Sequence, residues 1–346
     1  MKKYWRVLGS LILVGLLIWR IDWRQVASAF AKLEVRYWLL ALGVYLLTQG
    51  VSALRWRMLG RALGLGGQWR DYLGHYFVGM FFNLVLPTSV GGDVVRAWYL
   101  GRQSGAAPPT GRRTAAFLSV LADRVNGFAV LIVVACAAAL CCPTPLPSWI
   151  LACVAGMGAA CLLGLAALSL LPWLRKGLSA HQRLTQMLDG AALCLRDRRG
   201  MVGVTLLSLV VQLANVVLAW LIGEGLGLSV PPLYYGVLIP LVSLLTLLPI
   251  SLNGMGLREY GTILLLAPLH VSEASAITLS LLLFAVYTAT SLLGGVVYLF
   301  GNAPPVGQAF QPDLQGVSCG TEASGHADPV GGDSDQGRMR EPTAAA

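Results

Sequence analysis

Two arginines, Arg96 and Arg258, close two copies of one motif, L-P-x-S-[V/L]-x-G-x-x-x-R, at residues 86–96 and again 162 positions later at 248–258. Each copy ends an apolar run. Its proline stops a helix by removing a backbone donor. Its small and polar residues, Ser89, Gly91 and Gly92 in one copy and Ser251, Asn253 and Gly254 in the other, let the chain turn and start the next helix with amide groups unpaired. Unpaired amides at the positive end of a helix dipole suit an anion, above all a phosphate, and Arg96 and Arg258 follow one turn later in reach of it. Asp93 and Glu259 stand beside them as counter-charges.

A second constellation, Asp123-Arg124 with Asn126 and Gly127, lies about ten residues into an apolar stretch. A charge inside a membrane costs about 2.5–3.5 kcal/mol on insertion scales, so an adjacent pair needs a role. Arg124 can face a cavity and bind a substrate phosphate, or Asp123 can exchange a proton. The pair can also form an internal ion pair with Arg96 or Glu259 that holds neighbouring helices. The repeated motif likewise has a structural reading, a Gly-Pro kink at a close helix crossing with its arginines snorkelling to an interface. Duplication favours the site, because Gly/Pro-interrupted apolar segments at corresponding positions of two halves mark a transporter's substrate site.

The elements that must position these residues follow from composition. The chain is 56% hydrophobic and 12% charged, with a mean hydropathy of +0.69, whereas about a quarter of a soluble domain is charged. This is the composition of an integral membrane protein. Residues 1–300 hold 23 Lys/Arg against 10 Asp/Glu, and the tail 301–346 holds 2 against 6. The cations cluster in short loops at the ends of apolar spans, where they fix topology and touch anionic headgroups, so the basic balance argues for membrane lipid and against nucleic acid as partner.

Six stretches suit spanning helices: 7–19, 37–54, 114–140, 149–171, 201–222 and 276–300. Two shorter runs, 72–86 and 233–248, lead straight into the motif. Cations before (Arg55, Arg57, Arg61, Arg70) and after (Arg102, Arg112, Arg113) the first motif make 72–95 a hairpin entered and left from the cytoplasm. The loop 143–148 carries no charge and 224–232 no cation, which puts both outside and makes 233–269 a hairpin entered from the outer face. The expected fold is an all-α polytopic membrane protein with about six spanning helices and two re-entrant helical hairpins arranged as an inverted repeat. Its halves are 37–140 and 201–300, with both termini cytoplasmic in a plasma (inner) membrane. Gln49 with Gln212 and Leu118-Ser119 with Leu279-Ser280 echo the offset. The basic stretch 20–36 should lie outside, which conflicts with its charge and suggests an amphipathic interfacial helix.

The start of the chain resembles a signal peptide, but Arg20, Asp22 and Arg24 separate the apolar run from the Ala27-Ser28-Ala29 site, so an uncleaved anchor is expected. Residues 301–346 lack large apolar side chains and read as a disordered cytoplasmic tail. Seven cysteines without a C-x-x-C pair, and four histidines, give no metal centre, and no cofactor is expected. His75 is a headgroup contact or a proton relay. Arg55, Arg57 and Arg61, around Trp56, read as a cytoplasmic cluster that obeys the positive-inside rule or selects anionic lipid. No Walker loop, G-x-S-x-G or H-E-x-x-H occurs, so nothing argues for primary active transport or hydrolysis.

The Arg55-Trp56 pair, the F-x-N-x-x-L-P-x-x-x-G-G-D-x-x-R block at 81–96, Asp123-Arg124, and L-P-x-S-x-N-G-x-G-x-R-E at 248–259 together resemble the lysylphosphatidylglycerol synthase transmembrane, or flippase-like, family over roughly residues 5–300. The resemblance implies lipid handling. In full-length synthases this module moves an aminoacylated lipid across the bilayer, and stand-alone relatives are assigned to translocation of phospholipids or lipid-linked precursors. The soluble acyltransferase-like domain that attaches lysine is not found in these 346 residues, so the expectation is a translocase, not an enzyme. It would bind an anionic phospholipid or lipid-linked precursor. The alternative is a membrane-embedded accessory factor or enzyme component acting with a separate lipid-modifying synthase; a third reading is a purely structural scaffold.

Overall fold

A computed structural model describes residues 23–31, 33–86, 91–102, 111–169, 197–247 and 254–300. The expected first span at 7–19, the tail 301–346, and Ser89, Ser251 and Asn253 lie outside these residues.

Among the described residues the regular structure is helical: α1 (Trp23–Ala31), α2 (Val35–Ala62), α3 (Trp69–Val85), α4 (Gly91–Arg102), α5 (Arg112–Cys141), α6 (Ser148–Ser169), α7 (Arg198–Gly225), α8 (Pro232–Leu245), α9 (Leu257–Leu266) and α10 (Glu273–Phe300). Helices α2, α5, α6, α7 and α10 have 22 to 30 residues. At ~1.5 Å per residue each exceeds the ~30 Å hydrocarbon core of a bilayer. All five are apolar enough to cross it. Helices α3, α4, α8 and α9, with 17, 12, 14 and 10 residues, are each too short to do so. Leucines and phenylalanines such as Leu47, Leu162, Leu163 and Phe300 are exposed on the outer faces of the long helices, where lipid takes the place of a protein core.

Local chemistry sets the boundaries. Leu86 has extended torsions (φ −78°, ψ 139°), as the residue before a proline must, and α3 stops there. Asp197 caps α7, its carboxylate accepting from Gly200 N at 3.0 Å. Gly254 and Gly256 lead into α9 with φ of 73° and 81°, a turn that only glycine makes without strain.

Helices α2 and α7 run antiparallel along each other: Glu34 N donates to Gly225 O at 3.0 Å at one end, and Met58 packs on Gly203 at the other. Helices α3 and α4 form an antiparallel hairpin in which Gly79 meets Gly92 and His75 stacks on Tyr99. In the hairpin of α8 and α9, the Tyr234 hydroxyl donates to Leu265 O and Gly261 meets Leu245. Helix α10 packs on α3 as α5 packs on α8, and α4 leans on α5 as α9 leans on α10. One buried apolar cluster gathers Trp56, Tyr72, Leu100 and Leu118, and the other gathers Leu218, Tyr234, Leu238 and Leu266.

Two expectations need correction. Hydropathy ends the second span at residue 54 and sets Arg55 in a cytoplasmic cluster at its end; α2 instead continues to Ala62, because Ser52, Trp56 and Leu59 recur at helical spacing and stay buried, carrying Arg55 inward with them. The first hairpin does not end at residue 95, since α4 runs on to Arg102. Within the basic stretch 20–36, the short helix α1 forms, buries Val26 and lies against α10.

Candidate functional site

Arg96, on the first turns of α4, is enclosed, with 4% of its side chain exposed. Both of its Nη groups donate to Asp123 Oδ2 at 3.2 Å, and its Nε lies 3.1 Å from Asp93 Oδ1. The guanidinium sits 5.0 Å from the ring centres of both Trp56 and Tyr76, in cation–π range. Asp123 is shared: its other oxygen accepts from Arg55 Nε at 2.7 Å, and Arg55 Nη1 reaches Ser208 Oγ on α7 at 3.0 Å. Ser208 in turn donates to Asn126 Oδ1.

Arg124 completes the chain. Its Nε and Nη2 donate to the two oxygens of Asp93 at 2.8 and 3.1 Å, while 41% of its side chain stays exposed. The result is one network, Arg55–Asp123–Arg96–Asp93–Arg124, linking α2, α4 and α5. Of the pairings open to Asp123 and Arg124 in the sequence, the structure contains the one with Arg96. Arg55 belongs to this network and not to a cytoplasmic cluster with Arg57 and Arg61.

In the second half, Arg258 Nη2 donates to Glu259 Oε1 at 2.5 Å, and its Nε is 3.0 Å from Ser280 Oγ on α10. The guanidinium lies 4.5 Å from the centre of the Phe284 ring.

One amide at each helix start has a side-chain partner: Gly92 N donates to Asn83 Oδ1 at 2.8 Å, and Gly256 N to Glu259 Oε2 at 2.6 Å, the carboxylate arm of a capping box at the head of α9. Gly91 and Gly92 are buried where α4 presses on α3, so close that a Cβ on Gly92 would collide with the Gly79 carbonyl and Asn83. Ser208 is a working residue that the sequence does not single out, whereas Asn126 stands in the Asp123-Arg124 constellation and Asn83 in the block at 81–96. Arg55 had a signal, its adjacency to Trp56 and its helical register with Ser52 and Leu59. His75 lies 5.4 Å from the Tyr99 ring in a parallel stack, and its Nδ1 has no hydrogen-bond partner.

Arg96, Arg124 and Arg258 all line one cavity of about 440 Å³, together with Asp93. Its walls come from both halves: Tyr76, Gly79 and Asn83 of α3, Val242 of α8 and Thr246 just after it, Thr262 of α9, and Phe284, Thr288 and Ser291 of α10. The Thr288 hydroxyl is buried without a partner. Such a space, apolar on much of its wall with a few convergent polar groups, has the form of a ligand site.

The sequence model for the lysylphosphatidylglycerol synthase TM region matches residues 5–295. A UPF0104 membrane protein of Pyrococcus horikoshii is 25% identical over 126 residues, a match spanning 36% of this chain and 36% of the length of that relative. No solved structure matches.

Proposed function

The chain belongs to the lysylphosphatidylglycerol synthase TM region family, and from that premise we propose that it is a lipid translocase, one that holds a phosphate-containing headgroup in the cavity while the acyl chains stay in the membrane. One observation carries this reading. Four guanidinium groups, of Arg55, Arg96, Arg124 and Arg258, meet only three carboxylates, of Asp93, Asp123 and Glu259, at or beside the cavity. A positive charge left over in a low-dielectric interior is costly unless an anion completes it, and an anionic lipid headgroup is the anion a bilayer offers.

Movement, and not catalysis or scaffolding, is the role assigned here. In this reading α3–α4 and α8–α9 are re-entrant hairpins entering from opposite faces of the plasma membrane, 7–19 is a sixth span, and both termini are cytoplasmic. The antiparallel course of α2 and α7, and the reciprocal neighbours of the two hairpins, support the inverted arrangement. Reconstitution into vesicles with a fluorescent anionic lipid is the test. Transbilayer movement above protein-free controls, lost in Arg258→Gln, is expected. Lipid binding without movement would favour an accessory role beside a separate lipid-modifying enzyme. Single cysteines at Pro145 and Ser229, in a background lacking native cysteines, should label from outside, and those at Gly111 and Arg198 should not. Outside labelling of Gly111 would overturn the inverted topology.

A further inference from the structure

Beside the arginine-lined cavity lies a second space of about 250 Å³ with a different chemistry. Its walls are Thr48, Gln49 and Ser52 of α2, Gln212 and Asn215 of α7, and Ser243 of α8, with only Val211 and Ile239 as aliphatic members. Tyr45, Tyr76 and Tyr287, with Gln49, Ile239 and Ser243, line both spaces and form their shared boundary. No lining residue carries a charge. Two of the amides are fixed by their nitrogens, Gln49 Nε2 on Tyr45 O at 2.9 Å and Gln212 Nε2 on Gly127 O at 3.0 Å. Both glutamines come from the helices that run antiparallel through the middle of the molecule.

Polar side chains facing a membrane interior cost free energy unless something hydrogen-bonds to them. Hydroxyls and carboxamides both donate and accept, which matches a hydroxyl-rich group. Their oxygens could also accept from an ammonium, but no carboxylate lines this space to balance its charge. The volume equals about eight waters at ~30 Å³ each, room for a glycerol or a single sugar ring.

We infer that the site selects lipids whose phosphate bears an uncharged polyhydroxyl substituent: the phosphate faces Arg124 and Arg258, and the substituent lies across the tyrosine boundary among Gln49, Gln212 and Asn215. This rests on the translocase reading and adds the headgroup class to it. A glycerophospholipid with a glycerol or inositol head and a polyprenyl phosphate sugar share this chemistry.

Equilibrium binding to the full chain in mixed micelles tests it, using phosphatidylglycerol, phosphatidylinositol, a polyprenyl phosphate hexose, phosphatidic acid and phosphatidylethanolamine. At least one of the three polyhydroxyl lipids should bind roughly tenfold more tightly than phosphatidic acid, and which one does so separates the two sources. Asn215→Leu combined with Ser52→Ala, both lining only the second space, should erase that margin, as loss of one or two hydrogen bonds would, while phosphatidic acid binding holds. Asn215→Gln should keep part of it. Phosphatidic acid or phosphatidylethanolamine binding as well as all three polyhydroxyl lipids to the unmodified protein would overturn the headgroup assignment and leave the translocase reading standing. Failure of every anionic lipid to bind would overturn both.

Discussion

Arg96 and Arg258 hold matching positions in the two halves but live in unlike surroundings. Arg96 is gripped by carboxylates from two helices and lies against two aromatic rings. Arg258 is held by the carboxylate of the next residue, by one serine and by a phenyl ring. Phe284 follows Asp123 by 161 positions, one short of the motif's 162, and its ring lies against Arg258 where Asp123 lies against Arg96. The first half sets three guanidinium groups against two carboxylates: Arg55 and Arg96 close on Asp123 as an anchor, and Arg124 stays 41% exposed on Asp93. In the second half, Arg258 answers to a single acid, with 11% of its side chain exposed at the cavity. A guanidinium shared among several carboxylates has little attraction to spare for a ligand, whereas one with a single acid keeps more.

Removing the acids should expose this difference most strongly. Asp123→Asn leaves Arg55 and Arg96 together short of a counter-charge, and loss of one partner from a buried ionic group costs about 3–5 kcal/mol. Glu259→Gln leaves Arg258 with Ser280 and a neutral acceptor, at about 1–3 kcal/mol. Unfolding in mixed micelles should rank them in that order, and equal losses would mean the halves are equivalent.

The hairpins should differ next. Gly92→Ala drives a methyl into the Gly79 carbonyl, a main-chain collision costing about 1–3 kcal/mol, whereas Gly261→Ala meets the end of the Leu245 side chain, which can turn aside. The same unfolding measurement should show the first variant clearly weaker and the second within about 1 kcal/mol of the parent.

Phe284→Asp sharpens the comparison further by giving the second half the first half's carboxylate. It cancels the leftover positive charge, and anionic lipid binding should fall roughly tenfold, equivalent to about 1.4 kcal/mol, with helicity retained. Unchanged binding would show that the charge excess does not draw the ligand. The smallest effect belongs to Arg57→Gln, whose side chain makes one exposed contact with Gly67 O. It should shift stability by under about 0.5 kcal/mol, while Arg55→Gln, two residues away, should be severe.

That last pair marks where sequence reading stopped. Five long apolar helices and two short helix pairs broken at L-P were legible, because span length and proline chemistry are local. The Glu259 capping of Gly256 was also within reach, since three-residue spacing before a helix is a local signal. Arg55 was misplaced because hydropathy averages a window and a single arginine ends it, although the packing of Trp56 and Leu59 carries the helix past that charge. The approach of Gly79 to Gly92, and the meeting of Asn83 with Gly92 N, depend on how the two arms of the hairpin face each other across its tip, which no spacing rule encodes.

The central claim is that a lipid phosphate completes the charge of the cavity between Arg124 and Arg258. An experimental density map of the protein in nanodiscs containing an anionic phospholipid tests it most directly. The account predicts headgroup density inside the cavity, its phosphate within hydrogen-bond distance of both guanidinium groups. A cavity holding only water or acyl chain, with headgroups confined to the membrane surface, would contradict it.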